Sequence, residues 1–115
     1  MKILLDESVP QKLRLLLEGN HAVSTTWFME WSGLKNGALL SEAESAGFDL
    51  LVTADQELEY QQNLGGRRLA VVVLSTNNWG VIRARVETIV ATIAGVIPGC
   101  YLFVDIGHER GSHPG

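Results

Sequence analysis

The sequence predicts an α/β domain, a three-layer sandwich in which helices cover both faces of a mostly parallel central sheet. Three observations predict it. Short apolar runs alternate along the chain with stretches of helical spacing, the order expected of βα units. The apolar runs are continuous rather than alternating, as strands covered on both faces must be. The chain has 115 residues, 46% of them hydrophobic and 19% charged. That suits one domain able to bury roughly two-thirds of its unfolded surface and to fold without disulfides or a structural metal.

The elements follow in order. Residues 2–5 are an apolar run closed by Asp6 and read as a buried strand. Ser8 is placed to cap the next helix, and Pro10 to stand near its first turn. Over 11–18 that helix puts Leu13, Leu16 and Leu17 on one face, and Gly19-Asn20 ends it. Residues 22–25 form a second strand. The stretch 27–34 holds Trp27, Phe28, Met29 and Trp31 and reads as a helical turn followed by a loop.

Asn36 caps a helix over 36–46, with Leu39, Leu40 and Ala43 at helical spacing and Gly47 as its stop. Residues 49–53 are a strand closed by Ala54-Asp55. Residues 56–64 are helical by composition until Gly65-Gly66 breaks them. The valine-rich run 69–74 is the clearest strand in the chain. A polar loop over 75–78 has cap chemistry. It leads into a long amphipathic helix over 79–94, with Ile82, Val86, Ile89, Val90 and Ile93 on one face. Pro98-Gly99 then turns the chain into a last strand over 100–104. The domain spans 1–106, and the polar, glycine-rich tail 107–115 is expected to fray.

Several classes of function are disfavoured by composition. Net charge is −4, and the nine Lys and Arg residues are scattered, grouped only at Arg67-Arg68 and Arg83/Arg85. A module that binds duplex by neutralising its backbone shows a basic face instead. A metal-dependent nuclease remains compatible, because the ion neutralises its carboxylates. Cys100 is the single cysteine, so neither an intrachain disulfide nor a cysteine-based zinc site can form. The apolar opening is too short for a signal peptide. The last apolar stretch is broken by Arg83, Arg85 and Glu87, so no membrane span is expected and a cytoplasmic address is.

In an open parallel sheet, ligands bind beyond the carboxyl ends of the strands, where strand order reverses. Asp6 and Asp55 both follow strands there. If those strands are neighbours, the two carboxylates enter one crevice, and a hard cation between them relieves their repulsion. Mg²⁺ or Mn²⁺ suits such all-oxygen ligands. The other reading stays open: Asp55 as no more than a turn former or helix cap. Glu7 and Glu57 lie close by in sequence. Glu42 and Glu44 read as solvated helix positions, Asp49 stands at the wrong end of its strand, and Asp105 is an outside candidate. His21, His108 and His113 have no metal-site spacing, and Ser8 has no partners for a hydrolase triad.

The opening Lys2-Ile3-Leu4-Leu5-Asp6-Glu7-Ser8-Val9-Pro10 resembles the "LLDENLP" start of a family of small, largely uncharacterised bacterial PIN-like proteins. Gly33 to Leu40, and then Ala46 to Asp55 with its "LVTAD", are similar to that family's middle, so the resemblance runs from Met1 to about Leu74. It implies the PIN architecture and a Mg²⁺- or Mn²⁺-dependent ribonuclease, and many such proteins are toxins of toxin–antitoxin pairs. It further implies that Asp6 and Asp55 hold the ion, with Asn36 and either Glu7 or Glu57 helping. Asn36 stands where relatives carry an acid, and Gln56 where a basic residue is common. An amide offers a cation a carbonyl oxygen but no charge.

The partners implied are an RNA substrate and an antitoxin protein. Trp27, Phe28, Met29 and Trp31 imply either an exposed patch, hence a homodimer or partner surface, or a cap on the core. A non-catalytic interaction module that kept the fold is the rival reading. A receiver-like phosphate site would want a lysine after a later strand, and 75–78 offers none.

Overall fold

A computed structural model describes residues 1–34, 36–56 and 65–107 of the chain. In chain order the elements are β1 (Lys2–Leu5), α1 (Leu13–Leu17), β2 (Ala22–Thr25), α2 (Asn36–Ser45), β3 (Leu50–Thr53), β4 (Ala70–Leu74), α3 (Trp79–Ala84), α4 (Val86–Ala94) and β5 (Tyr101–Val104). The five strands form one sheet in the order β2-β1-β3-β4-β5. Every pairing is parallel, with Leu5 opposite both Thr25 and Val52, and Val71 opposite both Leu51 and Tyr101.

Continuous apolar strands are what this arrangement requires. β3 and β4 have no exposed residue, and their alternate side chains enter two separate cores. On one face Ile3, Leu5, Leu50, Val52, Val72 and Leu74 pack with Leu13 and Leu17 of α1, Ile82 of α3, and Ile89 and Ile93 of α4. On the other, Leu4, Leu51, Val71 and Val73 pack with Leu39, Leu40 and Ala43 of α2 and with Phe48. Each such leucine or valine contributes about 1.5–3 kcal/mol when fully buried. Helices therefore cover both faces of the sheet, as a three-layer α/β chain does.

The helix faces expose an unusual connection. The chain steps in the same direction across the sheet from β2 to β3 and from β4 to β5. Crossovers of one hand would put α2 on the same face as α3 and α4. They lie on opposite faces, so these two crossovers differ in hand, although parallel crossovers are right-handed in about 98% of cases. The β1–β2 crossover runs the other way on the other face and so shares the hand of β2–β3. The β4–β5 connection is the odd one.

Three local expectations are corrected. Ser8 does not cap α1: that helix starts at Leu13 after Lys12, without a side-chain cap. Residues 10–12 wind into it through main-chain bonds such as Leu13 N–H to Pro10 O at 3.1 Å. Leu16 is 38% exposed, because a helix this short buries one i, i+4 pair, Leu13 and Leu17. The helix expected over 79–94 is two helices, broken at Arg85 (φ −114°, ψ 23°), and Val90 is 38% exposed. The stretch 27–34 keeps to the expected helical turn and loop, with an i, i+4 bond from Met29 N–H to Thr25 O at 3.0 Å and then turns, Trp31 N–H meeting Thr26 O at 2.8 Å.

Those turns divide the aromatic segment. Met29 and Trp31 pack on the α2 core, Trp31 edge-on to Phe48, while Trp27 and Phe28 are 68% and 72% exposed. Among the described residues no helix is long and apolar enough to cross a membrane. The helix expected over 56–64 and the tail from 108 onward, with His108 and His113, lie outside the described residues.

Candidate functional site

Strand order reverses between β1 and β3. From β1 the chain goes outward to β2, then returns to the other side of β1 as β3 and continues to β5. In open parallel sheets ligands bind at such a reversal, beyond the carboxyl ends of the two strands concerned. Asp6 ends β1 and Asp55 lies just beyond β3.

Asp6 is held firmly. Its main-chain N–H donates to Val52 O at 2.9 Å, continuing the β1–β3 ladder, and its carbonyl accepts from Val9 N–H at 3.0 Å. The side chain is buried, at 7% exposure. Its Oδ2 accepts from Ser8 Oγ at 2.7 Å and from Thr53 Oγ1 at 2.9 Å. The two hydroxyls lie 3.1 Å apart. Each has one hydrogen, and both hydrogens go to Asp6, so each oxygen is left to accept. Ser8 Oγ accepts from Ala54 N–H and Thr53 Oγ1 from Asp55 N–H, both at 3.0 Å.

The carboxylate thus organises the turn after β3 through two hydroxyl relays. Asp55 is joined to Asp6 by two consecutive hydrogen bonds through Thr53. Charge on Asp6 strengthens both relays, since bonds to an ionised group are roughly twice as strong as neutral ones.

Ser8 and Thr53 are the residues that sequence reasoning missed in this role. A signal was present: Asp6-Glu7-Ser8 and Thr53-Ala54-Asp55 both set a hydroxyl two residues from an acid, the spacing of local side-chain turns. The strand order needed to join the two triplets was not legible.

The other candidates fall as follows. Asp55 is half-buried, and its charge is felt at β5: the Tyr101 phenol is held above its ordinary pKa, by burial first and by the negative charge of Asp55 second. Glu7 is exposed and turned toward the loop before α2, where its Oε1 accepts Gly33 N–H at 2.9 Å. Asn36 opens α2. Glu57 lies outside the described residues. Gln56 ties the ends of β3 and β4 together, donating from Nε2 to Ser75 O at 2.9 Å. Asp105 accepts Gly107 N–H in a local turn, and Asp49 accepts Lys2 N–H at the opposite end of the sheet. Glu44, expected as a solvated helix position, is half-buried, with Oε1 shut off from solvent.

Compared with protein-family models, with curated proteins and with solved structures, the chain has no match.

Chemistry must then be judged from the donor set. Among the described residues no three of His, Cys, Asp and Glu gather closely enough to hold an ion together. A magnesium site needs fewer, since one or two carboxylates with water and substrate phosphate suffice. Asp6 offers one oxygen toward such a set: Oδ1 takes no hydrogen bond from a described residue, whereas Oδ2 is fully engaged.

Proposed function

We propose that this chain is a metal-dependent ribonuclease of the PIN-like kind, the toxin of a toxin–antitoxin pair, with Asp6 and Asp55 at its site. One observation carries the reading: a buried carboxylate, Asp6, ends β1 where strand order reverses, with Asp55 beyond the neighbouring strand. In parallel α/β sheets ligands bind at that switch point. The opening and the "LVTAD" segment, similar to the PIN-like family, add the substrate class.

Asp6 and Asp55 would hold Mg²⁺ or Mn²⁺, and a bound divalent cation supplies the positive charge that phosphodiester cleavage needs. Ser8 and Thr53 keep Asp6 in one rotamer, so that Oδ1 is presented and Oδ2 is not. Glu7 and Asn36 flank this site in sequence, and Glu57 completes the set that the resemblance implies.

Calorimetric titration of Mg²⁺ and Mn²⁺ into wild type and Asp6→Asn tests the reading. Binding in the wild type that is lost in the variant supports it and justifies a screen of RNA substrates. No binding to either protein at millimolar metal rejects it.

A second reading has its own support. Asp6 Oδ2 and Glu7 Oε1 are both spent on internal hydrogen bonds, and Asn36 stands where the family carries an acid. A protein-interaction module that kept the fold and lost the chemistry accounts for both. Toxicity on expression that Asp6→Asn abolishes favours the nuclease; harmless expression of the wild type favours the module.

A further inference from the structure

The sheet ends in β5, and that edge is open. Along a parallel ladder, alternate residues turn both main-chain groups to the same side. Val71 N–H donates to Cys100 O at 2.9 Å and Ser75 N–H to Val104 O at 3.0 Å, so residues 100, 102 and 104 face β4. Tyr101, Phe103 and Asp105 therefore turn their N–H and C=O groups outward, and among the described residues no strand lies beyond β5. Phe103 stands in the middle of this row, 51% exposed. Sheet edges are commonly guarded by a charge, a proline or a bulge. The strand Tyr101–Val104 carries no charge or proline, and its register with β4 runs unbroken.

The other edge, β2, is closed to the same use. Ala22 N–H meets Met1 O and Thr26 N–H meets Leu5 O, so the outward main chain there belongs to Val23 and Thr25. Thr25 O is spent on Met29 N–H and its hydroxyl on Phe28 N–H, both at 3.0 Å. The outward row thus stops after Val23. One open edge per molecule makes a closed pair rather than a fibre.

We propose that two copies of this chain pair antiparallel through β5, joining their sheets into one of ten strands, five from each copy. The outward row is complementary to itself. With a two-fold axis at Phe103, Phe103 faces Phe103 of the second copy, and Tyr101 and Asp105 face each other on either side. Each of these pairs exchanges both of its main-chain hydrogen bonds, and any other register leaves an outward residue unpaired. Tyr101 packs on the α2 side of the sheet, whereas Leu102 and Val104 pack on the other, so by alternation Phe103 and Asp105 share the face of Tyr101. On that face the two phenyl rings cover one another. Beside them the Tyr101 phenol donates to Asp105 of the second copy, whose Oδ1 already accepts Gly107 N–H and whose Oδ2 takes no hydrogen bond from a described residue. One strand edge and two rings bury less than the roughly 1,200–2,000 Å² of a standard interface, so the dimer is weak, with a Kd on the order of 10 µM.

Sedimentation equilibrium of the full chain, from about 5 to about 500 µM, tests the proposal. A monomer–dimer equilibrium with no larger species is expected. Phe103→Lys sets a charge against its own copy and should weaken the dimer at least about tenfold. Phe103→Pro should do the same by removing an outward N–H that the β4 ladder does not use, so the fold should stand, as melting curves would confirm. The double variant Trp27→Ser/Phe28→Ser, in the exposed pair after β2, should leave the dimer unchanged. A wild type still monomeric at about 500 µM overturns the proposal. So does a dimer that neither Phe103 variant weakens, one that the Trp27/Phe28 variant abolishes, or assembly beyond the dimer.

Discussion

Replacing Thr53 by valine would remove one oxygen from the centre of the Asp6 network while keeping the shape of the side chain. Thr53 has no exposure, and its hydroxyl both donates to Asp6 Oδ2 and accepts Asp55 N–H. A hydrogen bond to a charged group is worth roughly 1.5–3 kcal/mol, and the half-buried Asp55 N–H loses a partner worth about 1 kcal/mol. Against this, the new methyl gains about 0.8 kcal/mol by burial. Asp6 keeps Ser8 as a donor, so no charge is stranded. The net expectation is a loss of about 2 kcal/mol, or about 8 °C in Tm for a domain of this size. Urea unfolding of wild type, Thr53→Val and Thr53→Ser measures it, and the serine variant, which keeps the hydroxyl, should fall between the other two. A valine variant as stable as the serine variant would refute the claim that the hydroxyl relay holds the turn after β3.

Two other perturbations follow from single features. Gly99 and Gly66 have nearly the same φ, +76° and +75°, but a Cβ on Gly99 would lie 2.8 Å from Arg67 O whereas one on Gly66 meets nothing within 4 Å. Gly66→Ala should therefore cost only the left-handed conformation, about 1 kcal/mol, and Gly99→Ala at least about twice that, read as the difference between their urea midpoints. Tyr101 has a folded pKa raised above its ordinary value of 10.0, by burial and then by Asp55. A group so raised contributes stability that is complete below the unfolded pKa and is lost as pH rises through the folded one. Stability should thus decline from about pH 10 upward more steeply in wild type than in Tyr101→Phe, and Asp55→Asn should remove part of that difference; an unchanged profile in Asp55→Asn would dismiss the influence of the Asp55 charge on Tyr101.

Much of the architecture could be read from residue order, because the signals that carried it are local. The runs 49–53 and 69–74 are apolar without alternation, and only a strand covered on both faces tolerates that, so β3 and β4 emerged within a residue of their true bounds. Where tertiary packing decides, the reading slipped. Nothing in the sequence around Arg85 marks a break, since Ile82, Ile89 and Ile93 keep helical spacing through it. Leu16 and Val90 look like core residues by type, and only the width of the contact with the sheet leaves them exposed. The site was legible as two acids at strand ends. Its hydroxyls were not, because Ser8 and Thr53 are 45 residues apart and meet only once β1 and β3 pair.

The charge on Asp6 discriminates between the two functional readings more sharply than its position does. Holding the turn after β3 requires an oxygen that accepts two hydroxyl hydrogens, and an asparagine carbonyl oxygen can do that. A carboxylate adds charge-assisted strength to both bonds, worth about 1–2 kcal/mol together, but it also buries a negative charge at 7% exposure with no Lys or Arg among the described residues paired to it. Desolvation of that kind costs a similar amount or more. On stability alone the acid therefore has little advantage over its amide. If Asp6 serves only as a latch, Asp6→Asn should match wild type with and without divalent metal. If Asp6 is kept for a cation, the two proteins should be equally stable in chelator, and millimolar Mn²⁺ should raise the melting temperature of the wild type alone, since a ligand that binds only the folded state stabilises it by mass action.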